Sequence, residues 1–390
     1  MTDVYIVCNT IHEIGGVQRW AHRIGELLAG RGHRVHLVGI FDVREPHSYL
    51  GAADRSADGQ ATYQSTVIHP GLFGARPRPA LLSRIANPLA YLRFKRWQTV
   101  QRAGAERLAA LLAAANDPAD TVVICAQVHA MEWVALAAPR DVPVIAMSHE
   151  SYAASNASSR GRRVRKYYKN AARFVSLTEA DARQWTLEAG LNNAAAIPNP
   201  LPIPALGGAD PGARVVVAAG RLSQEKGFDL LLDAWQQAVE SRAGWTLRIY
   251  GGGPDRDVLG EQARTLGVTG SVDFAGQTED IAAALVGGSV FASASRAEGF
   301  PMSLLEAMAC ALPCVAFDCA PGVRELVRDG VNGALVPPGN TEDFAAALGR
   351  LMDDSAERGS LGKAALESVS DYAPERIVER WEQLIALVLR

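Results

Sequence analysis

Short apolar runs alternate with segments of helical periodicity along most of the chain, and this alternation constrains the fold more than any other feature. Residues 4–7 form the first apolar run, and Gly15 and Gly16 follow it in a predicted turn. Trp20 and Ile24 then recur at helical spacing. Repeated strand and helix signals of this kind are typical of stacked βαβ units. The sequence therefore predicts an α/β fold built on doubly wound parallel sheets.

The alternation occurs in two series. Residues 197–208 between them are rich in proline and glycine, which is typical of a stiff interdomain linker. A chain of 390 residues is also too long for one compact core. We predict a first domain over residues 1–200, a second over residues 201–373, and a final helix over residues 374–390. Residues 42–66 are polar and too long for an ordinary connection, which indicates a functional or mobile loop.

Composition excludes several classes of protein. The chain is 48% hydrophobic and 21% charged, as expected for a globular protein and not for a disordered or collagen-like one. Its five cysteines are spread over the whole length and show no zinc-site spacing. The first residues lack the basic region of a signal peptide, and no apolar stretch approaches about 18 residues. We therefore expect a cytoplasmic location.

Positive charge is concentrated in two stretches that contain no acidic residue. Both belong to the predicted first domain, and their members are Arg76, Arg78, Arg84, Arg93, Lys95, Arg96 and Arg102, followed by Arg160, Arg162, Arg163, Arg165, Lys166, Lys169 and Arg173. With a net charge of −3, the rest of the chain carries −17 against these +14. The asymmetry predicts a positive surface that meets an anionic partner. Two solvated helix faces are the alternative.

The run from Gly220 to Gly227, between a predicted strand and a helix, contains two cations. Arg221 and Lys226 would project from the carboxyl end of the sheet, where ligands of doubly wound folds collect. There they could hold a diphosphate and stabilise it as a leaving group. The chain has five lysines among 39 basic residues, so Lys226 suggests a need for a compact point charge.

A second motif runs from Ser295 to Met308 and contains two glutamates. We predict that Pro301 is the first residue of a helix, and that free backbone amides at its start bind an anion. The segment that would bind the anion comprises Phe300, Pro301, Met302 and Ser303. Every residue of this segment except Pro301 has a backbone N–H. Glu306, inside the helix, could accept from two neighbouring hydroxyls, as on a ribose, and Glu298 could meet a sugar hydroxyl or a developing positive charge.

Three other constellations have structural interpretations. Ser148, His149 and Glu150 are consecutive, so they cannot face one another as a hydrolase triad. The acidic pair in Asp255-Arg-Asp257 opens a predicted helix, so capping explains it better than metal binding. The cysteines at 310, 314 and 319 are expected to be small buried hydrophobes.

Several motifs of the second series together resemble the retaining nucleotide-sugar glycosyltransferases of family four. These motifs are Gly220-Arg221, Lys226-Gly227, Tyr250-Gly-Gly-Gly-Pro254, Phe274-Ala-Gly276, Glu298-Gly-Phe-Pro, Glu306-Ala-Met-Ala, Pro313-Cys-Val-Ala and Gly330-Val-Asn-Gly333. They cover most of residues 215–345, whereas the first domain matches more loosely. The resemblance implies a GT-B fold of two facing Rossmann-like domains with a cleft between them. It also implies that the final helix joins the first domain.

The resemblance further implies a role for individual residues. Arg221 and Lys226 would contact the diphosphate, Glu306 the ribose, and Glu298 the donor sugar. In the first domain, the backbone at Gly15 and Gly16 would approach the donor phosphate, and His149 would lie near the donor sugar. Gly276 and Asn199 would also belong to the donor site, although Asn199-Pro-Leu201 stands where many members of the family have Asn-Gly-Val-Asp.

By the same resemblance, we expect transfer of a sugar with retention of its anomeric configuration, without a metal or other cofactor. UDP-sugar is the favoured donor and GDP-mannose the alternative. The expected acceptor is a glycan, an anionic polymer or a lipid-linked sugar, and no nucleic acid is expected as a partner. The two basic stretches would receive such an acceptor or dock the protein on the inner face of an anionic membrane. The oligomeric state is left open.

Three rival functions are weaker. A non-catalytic, two-domain sugar-binding protein of the periplasmic type would need an export signal, which the first residues do not resemble. An inactive scaffold would not need the four charged residues at 221, 226, 298 and 306, which are all present. A nicotinamide oxidoreductase would need Gly-x-Gly-x-x-Gly after a strand, a spacing found neither at Gly15-Gly16 nor at residues 251–254.

Overall fold

The chain forms two compact units in a computed structural model, which describes residues 1–47, 63–72, 87–115, 117–137, 139 and 141–390. Unit 1 comprises Met1–Ile197 and Ile377–Arg390, and unit 2 comprises Pro198–Arg376. The boundaries predicted from the sequence, after residues 200 and 373, differ from these by three residues each.

Unit 1 contains a sheet of seven strands, in the order β3-β2-β1-β4-β5-β6-β7, with every pair parallel. The strands are β1 (Asp3–Cys8), β2 (Arg34–Asp42), β3 (Gln64–Leu72), β4 (Thr121–Cys125), β5 (Val144–Met147), β6 (Arg173–Ser176) and β7 (Ala194–Ala196). Strands β1 and β4 are fully buried, as their continuous apolar runs predict.

Seven helices belong to unit 1 in the part of the chain that the structure describes. They are α1 (Gly16–Gly30), α2 (Pro88–Ala113), α3 (Val128–Ala137), α4 (Tyr152–Asn156), α5 (Ser159–Tyr167), α6 (Glu179–Ala189) and α14 (Pro374–Val388). The C-terminal helix α14 is therefore part of this unit, as the resemblance implies. Its Trp381 is fully buried and packs on Trp20 of α1, with ring centroids 5.8 Å apart.

Unit 2 contains a second all-parallel sheet of six strands, in the order β10-β9-β8-β11-β12-β13. The strands are β8 (Val215–Ala219), β9 (Thr246–Tyr250), β10 (Val272–Gly276), β11 (Val290–Ser293), β12 (Cys314–Phe317) and β13 (Gly333–Val336). Its helices are α7 (Phe228–Val239), α8 (Arg256–Thr265), α9 (Ile281–Val286), α10 (Met302–Ala309), α11 (Pro321–Leu326), α12 (Thr341–Asp353) and α13 (Ser355–Ser368). Two doubly wound parallel sheets confirm the predicted fold class.

The structure differs from the sequence predictions at one edge strand and one helix start. Residues 64–66, predicted as part of a loop, begin strand β3, and residues 48–62 of that loop lie outside the described part of the chain. Strand β3 is an edge strand with mostly exposed side chains, so it lacks an apolar signature. Helix α10 begins at Met302, not at Pro301, because the Pro301 carbonyl already accepts from Leu304 N at 3.2 Å while its own backbone is extended.

The predicted linker has no regular secondary structure, but it is attached to unit 2. The backbone amides of Leu206 and Gly207 both donate to the carbonyl of Ala309 at the end of α10, at 3.0 and 2.9 Å. The stiff connector therefore lies along the helix that carries Glu306.

Candidate functional site

The order of strands in unit 2 reverses between β8 and β11, which are adjacent although their sequence positions are far apart. In a doubly wound sheet the carboxyl ends at such a reversal diverge and leave room for a ligand. The loop 220–227 follows β8, and the loop 294–301 follows β11. The fold thus brings both predicted motifs to the switch point of one sheet.

Contacts between the two loops hold them together. The backbone amide of Arg296 donates to the Glu225 carbonyl at 2.8 Å. The Arg296 guanidinium also donates to both carboxylate oxygens of Asp229, at 2.7 and 2.6 Å. Such a bidentate pair fixes geometry better than a single bond does. Arg296 is a positioning residue that the sequence analysis did not identify.

Lys226 and Glu298 form an ion pair across these loops, with Lys226 Nζ 2.6 Å from Glu298 Oε1. Ser295 Oγ donates to the same oxygen at 2.7 Å. Burial of the ammonium disfavours its charge, but the attraction and hydrogen bond of Glu298 outweigh that effect and raise the pKa of Lys226. The lysine therefore stays protonated across the physiological range, with two further N–H donors for another anion.

Arg221 lies on the same loop, and its side chain is exposed. Among the described residues, no carboxylate forms an ion pair with it. The turn that carries Arg221 is packed against the loop that follows β9. Gly220 N donates to the Tyr250 carbonyl at 3.0 Å, and a Cβ on Gly251 would lie 1.8 Å from the Gly220 carbonyl oxygen. Gly276, with a φ of +79°, accepts from Gly251 N at 2.7 Å. Gly276 thus shapes the carboxyl edge of the sheet.

A hydrogen bond and a ring contact fix the segment before α10. Asn199 is buried and donates through Nδ2 to the Phe300 carbonyl at 3.1 Å. The Phe300 ring is 4% exposed and packs on Tyr372, so this side chain belongs to the core of unit 2. Met302 and Ser303 are half-buried at the first helical positions, where backbone amides have no partner within the helix. Asn199 and Phe300 position these amides.

Glu306 lies one turn inside α10 and is 3% exposed. Burial, followed by the negative charge of Glu306, raises the pKa of Cys310 to about 11. Cys310 and Cys314 are buried and free, in agreement with their predicted role as small hydrophobes, while Cys319 is half-buried.

In unit 1, Gly15 lies after β1 as the N-cap residue of α1, and Gly16, predicted as part of the turn, is the first residue of that helix. A Cβ on Gly15 would lie 2.6 Å from Gln18 Oε1, and Gln18 in turn donates to Thr10 Oγ1 at 2.9 Å. At Gly16, by contrast, a Cβ would have no described protein atom within 4 Å. The space in front of Gly16 is open, and its predicted approach to a phosphate stays a prediction.

His149 is the second residue after β5, and its imidazole packs edge-on against Trp20 with centroids 4.8 Å apart. Its Nε2 is shielded from solvent and has no hydrogen-bond partner among the described residues. Burial lowers the pKa of His149 to about 3. The ring is therefore neutral at physiological pH, and the adjacent Ser148 hydroxyl donates to the Glu150 carbonyl at 3.1 Å, not to His149.

The first basic stretch forms part of α2. Arg93, Lys95 and Arg96 are exposed in the first half of this helix, beside Leu89 and Leu92, which are 70% and 61% exposed. The second half packs on the unit, since a Cβ on Gly104 would lie 2.0 Å from the Trp133 ring. Arg76, Arg78 and Arg84 lie outside the described residues.

Most of the second basic stretch lies in α5, where some of the basic side chains contact other residues of the unit and others are exposed. Arg163 is turned into the unit, where its guanidinium lies 3.1 Å from Glu132 Oε1 and hydrogen-bonds His129. Arg165 donates to Asn156 Oδ1 at 2.7 Å, whereas Arg162 and Lys166 are exposed. The prediction that Arg163 and Arg165 belong to a positive surface for an anionic partner therefore needs correction, because both side chains bind groups within the unit.

The described residues contain no group of three or more His, Cys, Asp or Glu side chains able to hold a metal ion. Asp255 occupies the N-cap position of α8, but its side chain accepts no capping hydrogen bond, so the predicted capping is wrong in its mechanism. No helix in the described ranges is both long and apolar enough to cross a membrane.

Comparison with known proteins agrees with this architecture. The profile of "Glycosyltransferase Family 4" matches residues 14–203, and that of "Glycosyl transferases group 1" matches residues 213–354. A mutant of Staphylococcus aureus TarM, solved with Fondaparinux, alpha-GlcNAc-glycerol and UDP, is similar in fold. Its TM-score is 0.78 at 15% identity, with 99% of this chain and 100% of that chain covered.

Two curated relatives are closer in sequence. An uncharacterized glycosyltransferase of Haemophilus influenzae is 32% identical over 216 residues, which are 55% of this chain and 61% of that protein. The amylovoran biosynthesis glycosyltransferase AmsD of Erwinia amylovora is 34% identical over 170 residues, or 44% of this chain and 47% of AmsD. The matched region thus spans less than two thirds of either relative. Since the two profiles together match both units, the chain belongs to glycosyltransferase family four.

Proposed function

We propose that this protein transfers a hexose or N-acetylhexosamine from a nucleoside diphosphate sugar to a hydroxyl group of a glycan, an anionic polymer or a lipid-linked acceptor. The observation that carries this proposal is the cation pair of loop 220–227 at the switch point of unit 2. Lys226 is held by Glu298 at 2.6 Å, and Arg221 has no carboxylate partner among the described residues. The loop that carries Glu298 leads into α10, whose first backbone amides have no partner within the helix.

These groups suit a diphosphate that leaves with additional negative charge. In the proposed step, the bond between the anomeric carbon and the diphosphate oxygen breaks, and its electron pair stays on that oxygen. The acceptor oxygen bonds to the same carbon, from the same face, and passes its proton to a phosphate oxygen. Arg221 and Lys226 stabilise the developing charge, and Glu298 holds Lys226 in place before the reaction. Retention follows from attack on the face that the leaving group vacates.

The same charges support a metal-independent reaction. Two cations and a helix N-terminus supply the neutralisation that a divalent ion supplies in other transferases. Transfer is then expected to continue in the presence of a chelator such as EDTA. Loss of transfer on chelation, with recovery on adding Mg²⁺ or Mn²⁺, would refute this part of the proposal.

UDP is the favoured nucleotide and GDP the alternative. TarM is solved with UDP, which makes UDP the first probe. The name of AmsD places that relative in amylovoran biosynthesis, which supports a glycan or polysaccharide precursor as acceptor here.

A second part of the proposal concerns the first half of α2. Leu89, Leu92 and Arg96 are spaced at three and four residues, so they lie on one helical face together with Arg93. Exposed leucines between cations suit the interface of an anionic membrane better than a soluble polymer, since the lipid also accepts apolar side chains. Each cation near such a surface adds about 1 kcal/mol of attraction. This face would dock the protein peripherally beside a lipid-linked acceptor.

The nucleotide site is tested by calorimetry with UDP, GDP and ADP on the wild-type protein and on Lys226→Met. Lys363 offers a matched control, because it is 79% exposed on α13 and forms only a loose pair with Glu367. We expect one nucleoside diphosphate to bind the wild type and Lys363→Met equally, and Lys226→Met at least 30-fold more weakly. Equal binding by Lys226→Met, or no binding by the wild type, would overturn the proposal.

A further inference from the structure

Among the described residues, hydrogen-bond donors contact one of the two oxygens of the Glu298 carboxylate. Lys226 Nζ at 2.6 Å and Ser295 Oγ at 2.7 Å both donate to Oε1. A carboxylate oxygen has two lone pairs, so these two donors saturate Oε1. No described residue donates to Oε2. The two acceptor positions that remain for a ligand are therefore both on Oε2.

Ser295 is rigidly placed for this contact. It is 4% exposed and directly follows Ala294 at the end of β11. The Ala294 carbonyl is in turn packed against Gly227, next to Lys226. The two donors thus come from two loops that are packed against each other.

A lysine alone would not fix the carboxylate. The last torsion of a glutamate joins sp³ and sp² carbons and has a broad energy minimum. With only Lys226 present, the carboxylate could rotate and share both oxygens with the ammonium. A second donor on Oε1 removes that freedom, because rotation would then break the bond to Ser295.

We propose that Ser295 is a positioning residue of the donor site, which holds Glu298 so that Oε2 is directed at a hydroxyl of the donor sugar. This inference rests on the proposed function and adds a residue to its donor site. The hydroxyl of Ser295 does not touch the nucleotide. Its removal should therefore affect the sugar and leave the nucleotide unaffected.

The experiment compares the dissociation constants of UDP, UDP-glucose and UDP-N-acetylglucosamine, measured by calorimetry for the wild type and Ser295→Ala. If UDP is not the nucleotide bound, GDP and GDP-mannose replace them. We expect a donor to bind the wild type more tightly than its nucleotide alone, and Ser295→Ala to reduce that preference about tenfold. The affinity for the nucleotide alone should change less than twofold. Ser295→Thr, which keeps the hydroxyl, should restore the preference.

Ser289→Ala is the matched control, since Ser289 is 2% exposed and, of the residues that the structure describes, its hydroxyl bonds only the Val215 carbonyl. This variant should bind like the wild type. An unchanged sugar preference in folded Ser295→Ala would overturn the inference while leaving the proposed function intact. Equal loss for the nucleotide alone and for its sugar would also overturn it, because Ser295 would then support the whole site. A wild type that binds no nucleoside diphosphate would overturn both. If Ser295→Ala does not fold, Ser295→Cys replaces it, since a thiol is a weak donor.

Discussion

A Cβ on Gly227 would lie 1.9 Å from the carbonyl oxygen of Ala294, which is far inside van der Waals contact. The turn that carries Lys226 therefore reaches the end of β11 only because residue 227 has no side chain. Its φ of +64° adds a second reason, since L side chains rarely adopt this conformation. The ion pair with Glu298 depends on this close approach.

Gly227→Ala should therefore damage both the stability and the nucleotide site of unit 2. The strained φ and the overlap with a fixed carbonyl together should cost about 3 kcal/mol of unfolding free energy. Gly267 is a matched control, because its φ is +72° while a Cβ there would have no described atom within 4 Å. Gly267→Ala should cost only about 1 kcal/mol. Urea denaturation measures both, and equal losses would refute the steric account.

Arg163 and Arg162 are neighbours in the sequence but should differ strongly in their effect on stability. Arg163→Ala removes the cation that lies 3.1 Å from the Glu132 carboxylate, whose side chain is 5% exposed, so we expect a loss of about 3 kcal/mol. Arg162→Ala removes an exposed side chain and should change stability by less than about 0.5 kcal/mol. Chemical denaturation of the two variants distinguishes them. A small, equal effect would mean that Arg163 belongs to the free basic surface.

The low pKa of His149 should appear in the pH dependence of stability. As the pH falls below about 6.5, the unfolded chain protonates this histidine, whereas the folded chain does so only at about 3. Stability is therefore lost toward acid, by at most about 1.4 kcal/mol per pH unit. His149→Gln should have a smaller loss between pH 7 and pH 5 than the wild type. Thermal denaturation at several pH values checks this, and parallel profiles would contradict it.

Membrane docking by α2 should require both its charges and its leucines. Replacing Arg93, Lys95 and Arg96 with glutamate should reduce binding to phosphatidylglycerol vesicles at least tenfold, with UDP affinity unchanged. Leu89→Ser with Leu92→Ser should also weaken vesicle binding but leave binding to the soluble polyanion heparin intact. Vesicle co-sedimentation measures the first effect and a heparin column the second. If the leucine variant keeps full vesicle affinity, this face binds a polymer, not a membrane.

Much of the fold could be predicted because its signals are local. The first apolar run, residues 4–7, lies within β1, and the final helix predicted over residues 374–390 corresponds to α14. The edge strands β3 and β7 could not be found, since their residues are partly exposed and lack a strong hydrophobic pattern. The start of α10 was predicted one residue too early, at Pro301 and not at Met302, because proline is suitable both for the N-cap position and for the first turn of a helix.

The residues of the candidate site could be predicted from the sequence, but the contacts between them could not. Lys226 and Glu298 could each be predicted as ligand contacts, but their pairing spans 72 positions, and no spacing rule indicates which opposite charges meet. The same holds for Arg296 and Asp229, which are 67 positions apart. Arg163 resembles Arg162 in sequence, and only the fold reveals that Glu132 lies beside one of them.

The central claim is that the two cations of loop 220–227 hold the pyrophosphate of the donor. A crystal structure with UDP, or with GDP if calorimetry favours it, tests this claim most directly. The account predicts phosphate oxygens within hydrogen-bond distance of Lys226 Nζ and of the Arg221 guanidinium, with the ribose against Glu306. A nucleotide bound elsewhere in the molecule, or one whose phosphates leave both cations in solvent, would contradict it.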